Sequence, residues 1–444
     1  MTGHQPEPTD KTTVTKTLMP EEFEKKRKAE LEVKRRERDE ISLREISSLD
    51  HSPAFSNKDQ KREFLKQQAA NVAPDIPNYP ISPHYQNNTI KRLFTKIRYV
   101  SAIIRQRLSG REYPLISIIV VNNTCNWDCG YCFGDYRNRR DKDYSTDEIK
   151  YLIDELYNKG VRYLNLHGGE TLLRDDIGDL CHFVKNKGMY LCVITNGSLL
   201  DRKINEIKCA DNISISLDGN REGNDLNRGK GTFDAAMSAV DIVKKHNVPL
   251  RVSVTITKHT MNDIGFLAKL SKEKDLKLIF SILFKPLKKA HDCRMTDSEI
   301  RQTLSEVKRY RKLGYPIHAG DKSLAAAIHW PYDYDEVHHI PEELVTKEYS
   351  EHRVPCFYGK SKFTIEGDGY IYPCFLTTDG SFQPKNWKEV GLDEALEHVL
   401  RTNTCTACPA LTQNDHNALL GLDAKQVGWL LFDRAKDILT RKAL

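Results

Sequence analysis

The stretch Cys125-Asn-Trp-Asp-Cys129-Gly-Tyr-Cys132 constrains this chain more than any other. Its three thiols are spaced C-x3-C-x2-C, and an apolar run over 115–121 leads into them. Thiolates this close on one short loop can face a single metal centre, and soft sulfur ligands select iron–sulfur clusters or zinc. In a cubic four-iron cluster, three cysteines fill three irons. The fourth iron then takes a distant residue or something that is not protein. A zinc knuckle is the competing reading, but zinc sites usually pair C-x2-C units and close with a fourth ligand.

The rest of the composition narrows the class. The length of 444 residues allows two to three domains, and 39% hydrophobic residues supply a real core. With 68 basic against 62 acidic residues the net charge is +6, too mild to point to nucleic acid. No basic-then-apolar signal opens the chain, and no apolar run approaches about 18 residues. The eleven cysteines therefore read as reduced thiols or metal ligands of a cytoplasmic protein, not as disulfides.

Residues 1–84 read as a charged, flexible arm. Its dense Glu, Lys and Arg carry a sparse apolar stripe of Phe23, Leu31, Val33 and Ile41, consistent with a helical, partly disordered segment. Residues 85–113 hold a basic amphipathic helix at 88–108. There Ile90, Leu93, Phe94, Ile97, Val100, Ile103, Ile104 and Leu108 repeat at three and four. The favoured role is to cap the base of the catalytic domain. The other is peripheral contact with a membrane surface.

Over 114–313, short apolar strands alternate with amphipathic helices. Strands are expected at 115–121, 161–167, 189–195, 212–217, 250–257 and 276–283. Helices are expected at 146–158, 176–187, 202–207, 232–246, 261–274 and 296–313. Six strand-then-helix units argue for a parallel sheet with helices outside. Two more strands would be needed for a full barrel. The expected α/β fold is therefore a partial (β/α)6 TIM-like barrel. Chemistry in such folds gathers at the C-terminal ends of strands, and Cys125 follows the first strand closely.

Three more strand ends carry polar turns: His167-Gly168-Gly169-Glu170, Thr195-Asn196-Gly197 and Ser214-Ile-Ser216-Leu-Asp218-Gly219. Each alone is an ordinary turn. In this order after the cysteine triad, with Tyr131 just before Cys132, they resemble the radical S-adenosylmethionine (SAM) superfamily. The resemblance implies that Cys125, Cys129 and Cys132 hold a [4Fe-4S] cluster whose open iron binds SAM, yielding a 5′-deoxyadenosyl radical. It implies that Gly168, Gly169 and Glu170 contact the SAM amino group, and that Asn196, Ser216 and Asp218 suit the ribose. The family commonly has Pro after this Glu; here Thr171 follows. The stretch from Asn224 to Phe233 resembles the SPASM/Twitch branch, with Asn224 where that branch often has His. Arg228 is a candidate for the SAM carboxylate, since its planar fork suits bidentate pairing.

A second set, Cys356, Cys374, Cys405 and Cys408, follows an insertion at 314–353 that is expected to cover the site or to be merely surface. A hairpin at 362–365 and 370–372 brings Cys356 and Cys374 together, and Cys405 and Cys408 form a C-x2-C pair. Four thiolates make a closed site, with zinc as the alternative to iron–sulfur. The pattern over 354–410 resembles the Twitch extension with one auxiliary [4Fe-4S] cluster, because no cysteine follows Cys408. Residues 411–444 end in a helix at 425–440. Cys181, Cys192 and Cys209 read as buried, inert thiols. Cys293 is a candidate hydrogen donor to a substrate radical.

The reading is a radical SAM oxidoreductase or epimerase-type enzyme. It would act on an unactivated C–H bond of a small metabolite, served by a flavodoxin- or ferredoxin-type electron donor. A peptide-modifying maturase and a lipid-modifying enzyme are the alternatives within the class. A non-catalytic zinc-knuckle binding protein is the alternative outside it.

Overall fold

The computed structural model describes residues 74–284 and 291–432. The expected arm up to residue 73 and the expected helix beyond 432 lie outside them. Helix α1 (Thr89–Ser109) precedes a run of alternating elements. The strands are β1 (Ile116–Val120), β2 (Tyr163–His167), β3 (Tyr190–Thr195), β4 (Asn212–Ser216), β5 (Leu250–Ile256) and β6 (Lys277–Ile282). The helices are α2 (Thr146–Lys159), α3 (Ile177–Asn186), α4 (Leu200–Ile207), α5 (Arg221–Arg228), α6 (Thr232–Lys245), α7 (Ile264–Glu273) and α8 (Asp297–Lys312). Local chemistry sets several boundaries. Ser145 with Glu148, and Thr296 with Glu299, form capping boxes that start α2 and α8. Gly160, at φ 116°, stops α2 in a conformation that side chains disfavour.

All six strands pair in parallel with their sequence neighbours, as a partial barrel requires. The expected hairpin forms as β7 (Lys362–Ile365) and β8 (Tyr370–Tyr372), followed by β9 (Lys385–Asn386). Strand β7 also pairs in parallel with β1, Ile116 lying opposite Lys362. The described residues thus form one nine-stranded sheet of order β6-β5-β4-β3-β2-β1-β7-β8-β9, and the C-terminal extension continues the barrel sheet. Beyond α8 come α9 (Asp321–Ile328), α10 (Lys347–Ser350), α11 (Trp387–Val390), α12 (Leu392–Thr402), α13 (Leu411–Leu420) and α14 (Ala424–Phe432). Helices α5 and α13 are absent from the sequence expectation, since neither carries a clean apolar period.

The strands alternate by face. In β5, Val252, Val254 and Ile256 are buried, while Arg251, Ser253 and Thr255 line an internal cavity. A filled barrel would have branched apolar side chains at the inward positions. Here polar side chains keep the interior open.

Helix α1 caps the base, packing Tyr99, Ala102 and Ile103 on Leu115, Ile116, Tyr163 and Tyr190 at the starts of β1, β2 and β3. Its face is not the expected one. Of the apolar stripe, Val100 and Ile103 are buried, while Ile90, Phe94 and Leu108 are 66%, 62% and 83% exposed. The packing face is chosen by Tyr99, Ala102 and Gln106, whose side-chain amide donates to the Tyr113 carbonyl and accepts from Ser361 Oγ. No helix among the described residues is long and apolar enough to cross a membrane.

Candidate active site

The cysteine loop leaves the C-terminal end of β1 and is pinned from two sides. Gly169 N donates to the Asn122 carbonyl and Glu170 N to the Thr124 carbonyl. This approach is so close that a Cβ on Gly169 would lie 2.1 Å from Thr124 O, and one on Gly168 would lie 2.0 Å from Asn122 Oδ1. The paired glycines are therefore explained by the loop backbone crossing them. On the other side, Gly130 N donates to the Asn227 carbonyl. Tyr131 Oη donates to Asp218 Oδ2 at 2.6 Å.

Asp218 is fully buried and heavily used. Arg228 forks onto it through Nε and Nη2, both at 2.8 Å, and Thr255 N and Asn227 Nδ2 also donate to it. With Tyr131 this makes five donors on two oxygens, so the carboxylate has no capacity left for a ribose hydroxyl. The expected ligand role of Asp218 is corrected to a positioning role. Arg228 has spent its Nε–Nη2 edge on Asp218 and keeps the outer Nη1–Nη2 edge on the cavity side.

Glu170 is not among the cavity-lining residues. Its carboxylate, 1% exposed, accepts from Thr195 Oγ1 (2.6 Å), Asn196 N (2.7 Å) and Leu172 N (3.0 Å). It ties the ends of β2 and β3 together behind the cavity wall. Burial pushes its pKa up, against the pull of those hydrogen bonds.

One cavity of about 600 Å³ gathers the rest. Its upper wall includes Cys125, Cys129, Cys132, Tyr131, Gly168 and Gly169, with Asn196, Ser216 and Arg228 beside them. Asn196 Nδ2 donates to Asn126 Oδ1 at 2.9 Å, which fixes the start of the loop. The three thiols act on one another electrostatically, and burial pushes Cys125 up to about 11 and Cys129 up to about 12. Three neighbouring thiols on one cavity wall fit a four-iron cluster with an open iron.

Cys293 is not among the cavity-lining residues. It is buried beside His259 and Asp292, with ligand atoms of the three within 4.8 Å of one another, and burial raises its thiol to about 11. The geometry gives no support to the expected hydrogen-donor role. Cys181, Cys192 and Cys209 are buried as expected. Cys209 is less inert than expected: hydrogen bonds with Cys181 and His182 pull it down to about 6.

The second set comes from separate elements. Cys356 precedes β7, Cys374 follows β8, and Cys405 and Cys408 lie between α12 and α13. The Cys356 and Cys405 thiols are hydrogen-bonded, and both Cys374 and Cys408 feel Cys356. Four converging thiols fit a closed cluster. Phe375, next to Cys374, reaches the cavity and packs at 4.9 Å, tilted by 58°, against Phe133, next to Cys132. The hairpin turn is locked to the first loop by a partly buried Arg139–Glu366 ion pair at 3.1 Å.

Sequence reasoning missed several wall residues. His167 has a buried, unpartnered Nδ1, and burial pulls its pKa down to about 4. His338 comes from the insertion expected to cover the site. Arg251, Lys362 and His416 line the lower part. The polar alternation Arg251, Ser253, Thr255 within a strand covered by helices is a signal that could have found the first of these.

The fold and site define a class: a barrel with an open three-thiol site at its strand ends and a closed four-thiol site beside it. Residues 119–270 match the Radical SAM superfamily. The chain is 34% identical over 167 residues to Fe-coproporphyrin III synthase of Methanosarcina barkeri, covering 36% of this chain and 42% of that one. It is 29% identical over 182 residues to mycofactocin maturase MftC of Mycolicibacterium smegmatis, covering 40% and 46%. It thus spans less than half the length of these curated relatives. Among solved structures, Streptococcus suis SuiB bound to S-adenosylmethionine shares the fold, with a TM-score of 0.53 and 17% identity over 78% of this chain and 77% of that one.

Residues 119–270 thus form a domain of the radical SAM superfamily, to which the chain belongs. The cofactors of that superfamily are a SAM-binding [4Fe-4S] cluster and SAM.

Proposed function

We propose that this enzyme abstracts hydrogen from an unactivated C–H bond of a small metabolite, leading to oxidation, epimerisation or carbon–carbon bond formation. When bound, the first cluster and SAM supply a 5′-deoxyadenosyl radical. In this reading Cys125, Cys129 and Cys132 hold that cluster. Gly168, Gly169, Asn196, Ser216 and the unspent edge of Arg228 border SAM, while Asp218 and Glu170 hold these groups in place. Cys356, Cys374, Cys405 and Cys408 hold the auxiliary cluster, which takes or relays electrons. A flavodoxin- or ferredoxin-type protein supplies the reductant. Residues 114–313 act as the catalytic unit and 354–410 as the auxiliary one.

One observation carries the reading: a single cavity of about 600 Å³ meets all three first-set thiols and reaches Phe375 beside Cys374. That volume is in the range of small-molecule sites, and its aromatic and polar walls suit one. The test is anaerobic reconstitution with deuterium-labelled candidate metabolites, following label transfer into 5′-deoxyadenosine. Label from a small metabolite supports the reading, and label solely from a peptide overturns it.

Peptide modification is a second reading, supported by the likeness to MftC, a mycofactocin maturase. Peripheral membrane contact from a cytoplasmic location is supported by α1. Ile90, Leu93, Phe94, Ile97, Ile104 and Leu108 all lie outward, from 41% to 83% exposed, among Lys and Arg side chains. Co-sedimentation of the full chain with anionic vesicles tests it. Loss of binding in Phe94→Ser/Leu108→Ser supports the contact, and equal soluble fractions with and without vesicles overturn it.

A further inference from the structure

The lower cavity holds cationic groups that the SAM half does not use. Arg251, at the start of β5, and Lys362, at the start of β7, both face the lumen. Among the described residues neither has a carboxylate within ion-pair distance. Arg251 Nη2 donates to Cys192 Sγ at 3.1 Å and the guanidinium also bonds the Tyr163 hydroxyl, so both its partners are neutral groups, while its Nε is buried with no partner. Lys362 is 3% exposed; its Nζ donates to Tyr358 Oη at 2.5 Å and meets His416 Nδ1 at 2.9 Å.

These groups oppose one another. Burial pulls Lys362 down to about 7 and Arg251 adds to that pull, against the neighbouring Cys374 and Cys356 thiols. Burial, then Lys362 and Arg251, holds His416 neutral. An arginine stays charged at any working pH, and a buried charge without a counter-ion is costly. Retaining Arg251 and Lys362 together on one cavity floor has a physical reason if an anion enters.

Resting on the reading of this cavity as the substrate site, we propose that the substrate carries an anionic oxygen group, a carboxylate or a phosphate. This group seats on the floor against the exposed part of the Arg251 guanidinium and Lys362 Nζ. The Ser214, Ser253 and Thr412 hydroxyls line the same space. Thr255 is level with Asp218, to which its N–H donates, and lies four residues above Arg251. At about 3.3 Å per residue, the anchor is roughly 13 Å below the cysteine loop. The substrate is therefore held by an acid group remote from its reacting carbon. This arrangement positions a C–H bond without placing a charge beside the radical.

The test titrates reconstituted full-length protein calorimetrically with three probes: glutarate, inorganic phosphate and the neutral glutaramide. At least one anion is expected to bind with Kd on the order of 1 mM or tighter, at least about tenfold better than glutaramide. Preference for glutarate assigns a carboxylate, and preference for phosphate assigns a phosphate. No binding of either anion overturns the proposal, as does glutaramide binding equal to glutarate; both outcomes use the wild-type chain alone.

Arg251→Gln and Lys362→Gln are each expected to weaken the preferred anion about tenfold, with Arg251→Lys recovering part of the loss. Wild-type affinity in both Gln variants overturns the floor as the anchor. Unchanged anion affinity with a bleached auxiliary-cluster absorbance in Lys362→Gln assigns that lysine to the cluster instead and also overturns the proposal. Formation of 5′-deoxyadenosine by the wild type, measured in parallel, separates the two levels. Its absence sinks the underlying reading, whereas its presence without anion binding sinks this inference alone.

Discussion

The two cysteine sets use the same ligand atom in opposite surroundings. Cys125, Cys129 and Cys132 share one irregular loop, half-buried on a cavity wall. Cys356, Cys374, Cys405 and Cys408 come from three parts of the chain and converge away from that cavity, with Cys374 and Cys408 6% and 3% exposed. The contrast parallels that between catalytic and structural metal sites, where an incomplete ligand set marks chemistry and a complete one marks scaffold or relay. It also sets where the supporting hydrogen bonds are spent. Around the open set, Asp218 is saturated by protein donors and Glu170 accepts three, and both leave the cavity face clear. Around the closed set, the sheet itself carries the ligands, since β7 is joined to β1.

The largest expected effect separates the sets directly. Cys129→Ala is expected to abolish 5′-deoxyadenosine formation and remove roughly half the iron. Cys405→Ala/Cys408→Ala is expected to remove a similar amount while SAM cleavage stays within roughly tenfold of wild type. Iron assay and product chromatography read both, and equal loss of cleavage in the two variants would erase the distinction.

Asp218→Asn leaves the buried Arg228 guanidinium unpaired, which costs about 3–5 kcal/mol. The expected sign is a melting temperature lowered by roughly 5 °C or more in a thermal scan. A wild-type melt would show that the open site does not depend on this pair. Gly169→Ala places a methyl 2.1 Å from the Thr124 carbonyl and must displace the loop. A roughly 10–100-fold drop in SAM cleavage is expected, with the auxiliary cluster's spectrum retained.

The smallest effect concerns the closed region. Asp415 on α13 is buried, and desolvation raises its carboxyl to about 6. A carboxyl raised above its ordinary 3.8 stabilises the fold fully below that value, and the benefit is lost as pH rises through about 6. The loss amounts to about 3 kcal/mol at most. Asp415→Asn keeps the Oδ1 that accepts from Ser323, Gly320 and Gln426. Denaturant titrations at pH 5 and pH 8 are expected to differ less in this variant than in the wild type. An unchanged difference would remove Asp415 from the account.

The sequence made the ligands and the strand order legible because both are local signals. Cysteine spacing, short apolar strand runs and the hairpin turn at Glu366–Gly369 need no tertiary knowledge. The roles of Glu170 and Asp218 were not legible. A carboxylate at a strand end reads as a ligand until its donors are counted, and those donors come from β3, α5 and β5. The outward stripe of α1 failed for a related reason: periodicity finds a face but does not say which face packs. Arg251 and Lys362 sit on strands whose inward direction is fixed once the barrel has formed.

The central claim is an open, SAM-cleaving cluster beside a closed auxiliary one. Anaerobic reconstitution of the full chain, followed by dithionite and SAM, tests it most directly. The account predicts a brown protein with about eight irons per chain that forms 5′-deoxyadenosine, reading four irons at each set. A colourless zinc protein that forms no 5′-deoxyadenosine would contradict it.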